Sequence, residues 1–300
     1  MFESLFDRNG LSLERLRSLV EVDEAGGIAK AAPGDPVQQS KISKNLSQLE
    51  TFFGTELKRR KGKGIELTGA GKRLATMARR QILSLETFAQ EARSETQEIR
   101  IGGGQSAIEW SLLPRLPEME KRFRLQLVSM RSQEVIRRLD DFSLDVGLVR
   151  KTAIQSKTIE FRQVATIRYA LFVEREVAAR HDCDPWKLLS SIPLATSMGG
   201  EYRRRFDELA ETGKITPDIR FSCSSFRTAL EIVKQSASVG GLLPDSASHA
   251  LPPGDFTEIP LPFLQPYERE LVLAWQKRIL DIRPAVGHFI ASFDKSGKRL

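Results

Sequence analysis

Residues 31–71 read AAPGDPVQQSKISKNLSQLETFFGTELKRRKGKGIELTGAG and predict one helix followed by a basic hairpin. Asp35 is a typical N-cap residue, Pro36 suits the first helical position, and Gly54 suits the end of the helix. Four apolar side chains recur every three or four residues and form one stripe: Ile42, Leu46, Leu49 and Phe53. The opposite side carries hydroxyl and ammonium groups, which can meet base edges and phosphates in a DNA major groove.

The segment before this helix predicts the rest of a helix-turn-helix unit. A first amphipathic helix is indicated by Leu13, Leu16, Leu19 and Val20. Gly26 and Gly27 predict a turn, and residues 28–32 predict a very short second helix. The order of helix, short helix, turn and long helix is that of a winged helix-turn-helix. The alternative is a small helical domain with a solvated basic loop.

The predicted hairpin, with strands over residues 56–60 and 64–67, is strongly basic. Between residues 58 and 80 the chain has nine cations and one acid, Glu66. Clustered cations on one face are what phosphate binding requires. We therefore expect the helix to enter DNA and the hairpin to contact flanking phosphates. The candidate DNA-binding residues are Gln39, Ser40, Lys41, Ser43, Lys44, Arg60, Lys61 and Lys63.

The spacing of small, polar and charged residues across this segment is distinctive. The residues that carry it are Ala31, Ala32, Gln39, Ser43, Leu49, Glu50, Gly54, Leu57, Arg60, Leu67, Thr68, Ala70 and Gly71. In this register the segment resembles the N-terminal domain of LysR-type transcriptional regulators. That resemblance implies an all-α winged helix-turn-helix domain over residues 1–71. One departure concerns the hairpin, because Lys58 stands where the family usually has an anchoring Phe.

A long helix is predicted after the hairpin, with Thr68 as its N-cap and residues 72–97 as its span. A mostly apolar seam follows the heptad spacing of a coiled coil: Leu74, Ala78, Gln81, Leu85, Phe88 and Ala92. Such a seam must be buried on a partner helix or, as the alternative, within its own domain. The resemblance implies a linker helix that pairs two subunits. It therefore implies a homodimer or homotetramer on double-stranded operator DNA with two half-sites, with the seam as the dimer interface.

From residue 98 onward short apolar strands alternate with helices, which predicts an α/β architecture with largely parallel sheets. The segment is longer than one doubly wound sheet needs, so we expect two lobes with a cleft between them. The stretches IGGGQS, LDVGLV and ASVGGLLP resemble the LysR-family effector domain, which has a periplasmic-binding-protein-like fold. The resemblance implies an effector domain over residues 98–300, with one lobe at about 98–164 and 268–300 and the other at about 165–267.

Three predicted strand-end turns, over residues 101–107, 196–200 and 222–225, carry polar side chains. Ligands of open α/β lobes bind at the carboxyl ends of strands. Free backbone N–H groups and capping hydroxyls at helix N-termini favour an anion. We therefore predict a site for a carboxylate or other small anionic effector, with the candidate residues Gln105, Ser106, Ser197 and Ser224. Each turn has the alternative interpretation of a satisfied helix cap, and Arg150 could either reach an anionic effector or form a surface ion pair.

The alternative function is a nucleotide-dependent oxidoreductase. Gly102, Gly104 and Ala107 have the spacing of a dinucleotide-binding turn. The next predicted strand ends at Ser129, however, without the acidic residue that would hold a ribose. The nucleophile-elbow spacing is also incomplete at residues 104–108. We therefore predict neither an enzyme nor a cofactor.

Composition fits a regulator with a small and a larger domain. The 300 residues include 46 Lys and Arg against 39 Asp and Glu, a net charge of +7, with 40% hydrophobic residues. This mild basicity fits nucleic acid. The two cysteines, Cys183 and Cys223, have no metal-binding spacing, so we predict no metal site. The chain has no apolar run of membrane length and no signal-peptide core, which predicts a cytoplasmic protein and argues against a transport-type solute-binding protein.

Overall fold

A computed structural model describes residues 5, 9–61, 64–93, 96–199, 201–212 and 215–295. The N-terminal head consists of α1 (Leu13–Ala25), α2 (Ile28–Ala31), α3 (Pro36–Phe53) and the hairpin strands β1 (Lys58–Lys61) and β2 (Gly64–Leu67). It is followed by the long helix α4 (Gly69–Ala92). The predicted N-caps are confirmed, because Asp35 accepts a hydrogen bond from the Gln38 backbone N–H and Thr68 accepts one from that of Gly71.

The head has its own apolar core, which unites all three helices and the hairpin. Ile42, Leu46 and Leu49 of α3 are buried there as predicted. The prediction for Phe53 was wrong, because Phe53 is 37% exposed whereas Phe52 is buried. Gly71 lets α4 start against the hairpin, since a Cβ atom there would lie 2.1 Å from the Leu57 carbonyl oxygen.

Two five-stranded sheets form the remainder of the chain. The first-lobe strands are β3 (Glu98–Gly103), β4 (Arg124–Ser129), β5 (Val146–Arg150), β6 (Ile159–Ile167) and β12 (Arg269–Gln276). The second-lobe strands are β7 (Tyr169–Glu174), β8 (Pro193–Ser197), β9 (Asp218–Cys223), β10 (Gly240–Pro244) and β11 (Phe256–Pro260). The strand orders are β4-β3-β5-β12-β6 and β11-β7-β10-β8-β9.

The expectation of largely parallel sheets was wrong, because each sheet is mixed. In the first lobe β3 pairs parallel with β4 and β5, whereas β12 pairs antiparallel with β5 and β6. In the second lobe β8 has parallel neighbours and β7 has antiparallel ones. The reason is that the chain crosses between the lobes at Arg168 and returns before Arg269. In each sheet only the strand that follows a crossing, β7 or β12, runs against the other four strands.

Helices cover both sheets. They are α5 (Gln105–Ala107), α6 (Leu116–Met119), α7 (Ser132–Asp140), α8 (Arg175–Arg180), α9 (Pro185–Ser191), α10 (Glu201–Glu211), α11 (Phe226–Gln235), α12 (Ile279–Ile282) and α13 (Pro284–Lys295). A π-helical turn, Ile108–Leu112, follows α5 directly. It inserts Trp110 into the apolar core of the second lobe, beside Phe226. Leu83 of α4 packs in the core of the first lobe, so the long helix is anchored at both ends.

Candidate DNA-binding surface and ligand cleft

The outer face of α3 is open to solvent and polar. Ser40, Lys41 and Lys44 are exposed, while Gln39 and Ser43 are half-buried. This orientation follows from the sequence pattern, since the apolar stripe on the other side is buried in the head. The surface therefore presents hydroxyl and ammonium donors without bulky side chains.

Two of these candidates already have partners. The Gln39 side-chain Nε2 donates to the Ala32 carbonyl oxygen at 2.8 Å, which fixes the amide and turns its oxygen away from α2. The Lys41 ammonium lies 2.8 Å from a Glu14 carboxylate oxygen, in a pair whose members are both more than half exposed. Pairs of this kind contribute little in water. Lys44 makes no ion pair with any residue that the structure describes, so its charge is available.

Lys58 anchors the β1–β2 hairpin, hereafter the wing, by an ion pair instead of an aromatic ring. Its ammonium lies 2.8 Å from Glu50 Oε2 and 2.6 Å from Ser47 Oγ. Glu50 Oε1 accepts from the backbone N–H groups of Leu57 and Lys58 at 2.9 and 3.1 Å. Burial raises the pKa of the Glu50 carboxyl, but these hydrogen bonds outweigh it and hold the pKa below its ordinary value. Glu50 therefore ties the wing to α3.

The wing cations divide between two faces of β1, because side chains alternate along a strand. Arg59 and Lys61 both pair with Glu66, at 2.8 and 2.9 Å. Arg60 lies on the other face, which it shares with Lys58 and which is turned toward α3. It is exposed and makes no ion pair among the described residues. Lys63 lies outside the described residues.

A cavity of about 1200 Å³, hereafter the cleft, opens between the two lobes. The first lobe lines it with Gln105, Ser106, Ser129, Arg131, Ser132, Arg150 and Arg269, and the second lobe with Tyr169, Ser224, Phe226 and Pro244. Three of the four predicted effector residues thus lie on one cavity. Ser197 does not line it, because α10 covers the end of β8 and Tyr202 donates to the Ser197 carbonyl.

The positive charge in the cleft comes from arginines rather than from helix N-termini, and Asp140 and Glu270 also line the cavity. The helix after β3 has only three residues before it widens into the π-helical turn, so the predicted dipole contribution is small. Arg150 stands opposite Leu271 in the strand register, and Arg269 precedes Leu271 by two positions. Both arginines therefore point to the same face of the sheet. Arg269, only 9% exposed, was missed because its position depends on a strand that returns from the other lobe.

The exposed face of α4 is apolar but differs from the predicted seam. Met77, Leu85 and Phe88 are 58%, 53% and 72% exposed, and Gln81 and Ala92 are exposed beside them. Ala78, in contrast, is 3% exposed within its own chain, and Leu74 packs partly into the head core. The stripe available to a partner is therefore Met77, Gln81, Leu85, Phe88 and Ala92.

Other chemistry has little support in the described part of the chain. No group of three or more His, Cys, Asp or Glu side chains there could hold a metal ion. No helix in the same ranges has both the length and the apolar character for crossing a membrane. Of the cysteines, Cys183 is exposed and Cys223 is buried, and neither forms a disulfide.

Comparisons with known proteins match both parts of the chain. A family model described as a bacterial regulatory helix-turn-helix protein of the lysR family matches residues 13–72. A second model, described as the LysR substrate binding domain, matches residues 92–297. The HTH-type transcriptional regulator BudR of Raoultella terrigena is 30% identical over 194 residues, which is 62% of this chain and 64% of BudR. The aligned region therefore spans just under two thirds of that relative.

Solved structures share the fold over nearly the whole chain. Full-length CbnR complexed with its target DNA has a TM-score of 0.56 at 22% identity, over 96% of this chain and 100% of CbnR. Full-length LysG from Corynebacterium glutamicum with bound effector Arg has a TM-score of 0.58 at 17% identity, over 97% of this chain and 100% of LysG. At these identities the likeness concerns the fold alone.

Proposed function

The chain belongs to the LysR family of bacterial regulatory helix-turn-helix proteins, and on this premise we propose that it is a DNA-binding transcriptional regulator controlled by a small anionic effector. The family consists of transcriptional regulators and not of enzymes, so the oxidoreductase alternative has no support. The observation that carries the proposal is the open polar face of α3, which lies beside a wing arginine, Arg60, that forms no ion pair with any described residue.

DNA binding is assigned to two kinds of contact. The α3 residues Gln39, Ser40, Ser43 and Lys44 enter the major groove, where hydroxyl, amide and ammonium groups distinguish base pairs. Arg60 of the wing contacts a phosphate, because it is exposed and has no ion-pair partner among the described residues. A head of the same fold is present in CbnR, whose solved structure includes its target DNA.

A homo-oligomer is assigned to the exposed stripe of α4. Met77, Leu85 and Phe88 would leave a large apolar area in water on an isolated chain. Burying that stripe against the same stripe of a second subunit removes it from water and places two heads on one DNA molecule. Two heads read two half-sites, and linking them raises affinity through effective concentration.

An anionic effector is assigned to the cleft. Arg150 and Arg269 project from neighbouring strands into the same cavity, where Ser106 and Ser224 provide hydroxyl donors from the two lobes. A carboxylate held between guanidinium and hydroxyl groups gains charge-assisted hydrogen bonds. Because the donors come from both lobes, such a ligand favours one relative position of the lobes over others.

The DNA assignment is tested by a matched pair of wing variants. We expect Arg60→Ala to weaken binding to all sequences and to reduce the slope of log affinity against log salt by about 0.9, because one phosphate contact is lost. Arg59→Ala removes the same charge from a residue that Glu66 already neutralises, so its slope should change less. Fluorescence anisotropy with operator DNA and with unrelated DNA, recorded between low and moderate salt, measures the affinity and the salt slope of each variant. Equal slopes for the two variants contradict the wing assignment.

The effector assignment is tested by a thermal-shift screen of small carboxylates. A ligand that stabilises the wild type should stabilise Arg150→Ala much less, because the stabilisation at a given ligand concentration rises with the logarithm of the affinity for the folded state. Operator affinity without ligand should be nearly the same in both, since Arg150 lies in the cleft and not on the head. A ligand that shifts both proteins equally places the effector elsewhere.

A further inference from the structure

The first lobe carries positive charge at two separate places in the cleft. Arg150 ends β5 and lies beside Arg269 in the cavity. Arg131 follows β4 and lines the same cavity, yet nothing in the proposed function uses it. Both Arg131 and Arg150 are exposed, and neither forms an ion pair with any residue that the structure describes. A ligand in the cleft can therefore reach both guanidinium groups.

The strand register fixes the distance between the two arginines. Ser129 of β4 and Leu148 of β5 both lie level with Gly103 of β3, the strand between them. The chain remains extended after β4, because the next backbone N–H donates to the Gly103 carbonyl oxygen at 2.8 Å and Arg131 itself has an extended backbone. Arg131 and Arg150 are each two residues beyond that level. Neighbouring strands lie about 4.8 Å apart, so the two Cα atoms are about 10 Å apart.

The space between the two arginines is open at its centre. The middle strand, β3, ends at Gly103 and is followed by Gly104, where a Cβ atom would meet nothing within 4 Å. The next side chain is held by its own helix, because Gln105 Nε2 donates to Glu109 Oε1 at 3.2 Å. Three apolar side chains line the same cavity: Met130, Ile136 and Leu148. A ligand with a short hydrocarbon chain can therefore extend from one arginine to the other.

The two carboxylates among the described lining residues already have partners. Asp140 accepts hydrogen bonds from Thr158 Oγ1 at 2.6 Å and from Ser156 Oγ at 3.2 Å. Glu270 lies 2.6 Å from the Lys151 ammonium. Both carboxylates therefore oppose an anionic ligand less than carboxylates without partners would.

We propose that the cleft binds a dicarboxylate, with one carboxylate at Arg150 and the other at Arg131. The inference rests on the proposed function and deepens it from an anion to a ligand with two separated anionic groups. A single carboxylate could satisfy both arginines only if their side chains leaned together, which brings two like charges close. A dicarboxylate makes charge-assisted hydrogen bonds at both ends, and the second attachment gains from the effective concentration that the first creates.

The proposal is tested by calorimetry on the full chain with adipate, hexanoate and inorganic phosphate. Adipate and hexanoate have the same number of carbon atoms and differ in one carboxylate, whereas phosphate is a compact anion with its charge in one place. We expect adipate to bind at least about tenfold more tightly than either of the others. Equal affinities of adipate and hexanoate, or phosphate binding as tight as that of adipate, overturn the inference.

Variants locate the second carboxylate. Arg131→Ala should reduce the affinity for adipate to that for hexanoate and leave hexanoate within about twofold, because only the second attachment is lost. Arg124→Ala is the matched control, since Arg124 is exposed at the other end of β4 and does not line the cavity. Gly104→Leu places a side chain in the open space without a Cβ clash, so it should weaken adipate more than hexanoate. An advantage of adipate that survives in Arg131→Ala overturns the assignment.

The outcomes separate this inference from the proposed function. If adipate and hexanoate bind equally and both lose affinity in Arg150→Ala, the anionic effector stands and the dicarboxylate is wrong. Binding of neither probe at millimolar concentration contradicts the dicarboxylate and the anionic effector together. Operator affinity without ligand tests DNA binding independently, and it should be the same in the wild type and in Arg131→Ala, because Arg131 lies on the first lobe and not on the head.

Discussion

Arg79 joins three parts of the chain, and we expect its replacement to loosen the head from the first lobe. Its side chain, on α4, is only 4% exposed. Nη2 lies 3.1 Å from Asp23 Oδ2 and Nε lies 3.3 Å from Glu24 Oε1, both on α1 of the head. Nη1 donates to the Asp141 carbonyl oxygen at 2.8 Å, at the end of α7 in the first lobe.

The cost of Arg79→Met follows from what it leaves behind. Methionine retains much of the aliphatic volume, so the loss is mainly electrostatic. Asp23 is 12% exposed and remains as a largely buried carboxylate, and breaking such a pair costs about 3–5 kcal/mol. Glu24 is 52% exposed and contributes little, since water solvates it. Asp141 keeps other partners in Ser143 and Arg137. We therefore expect a loss near the lower limit, about 3 kcal/mol.

Urea unfolding of Arg79→Met against Arg80→Met measures this loss. Arg80 is the adjacent residue on α4 and makes no ion pair with any described residue, so it controls for removal of a charge. Hydrogen exchange should accelerate in α1 and around Asp141 in Arg79→Met alone. A loss below about 1 kcal/mol, or equal losses in the two variants, refutes the argument that Arg79 holds the domains together.

Three further predictions follow from the head and from α4. Gly71→Ala should destabilise the head by more than about 3 kcal/mol in thermal unfolding, because the new Cβ atom would lie 2.1 Å from a backbone oxygen that cannot move aside. Phe88→Asp should lower the mass in sedimentation and weaken operator binding, while an unchanged mass would exclude the α4 stripe as the interface. The folded-state pKa of Glu50 is lowered, so its pair with Lys58 stabilises the wing above about pH 4 and is lost as pH falls through the folded pKa. Glu50→Gln should lack that acid-dependent loss in a pH series of melting curves.

Features that depend on neighbours in sequence were predictable. The N-caps Asp35 and Thr68 and the buried side of α3 follow from contacts within a few residues. The burial of Phe52 instead of Phe53 shows the limit of such reasoning. Phe53 continues the apolar spacing, but it is the last residue of α3, and the packing of the head buries the adjacent ring. The ion pair of Lys58 with Glu50 shows a second limit. The sequence showed that position 58 lacks an aromatic anchor, but it did not show that an ion pair with Glu50 anchors the wing instead.

Features that depend on distant partners were not predictable. Arg269 reaches the cleft only because β12 returns from the other lobe and pairs between β5 and β6. Ser197 was excluded from the cleft because α10 covers its strand end, and Ala78 was removed from the proposed interface because the chain itself covers it. In each case the local pattern was the same for a functional residue as for a structural one.

One helix connects the cleft with Arg79. The α7 residues Ser132, Gln133 and Ile136 line the cleft, while Asp141, which follows the last residue of α7, accepts from Arg79. A helix of nine residues moves as a rigid body over such a length. Any effector that displaces the cleft end of α7 therefore also strains the contact with α4 and α1. The free energy of that contact sets an upper limit on the coupling free energy between effector binding and operator binding. Typical coupling free energies of about 1–3 kcal/mol lie below that limit. Arg79→Met should consequently reduce the effect of an effector on operator affinity without removing the affinity of the cleft for the effector.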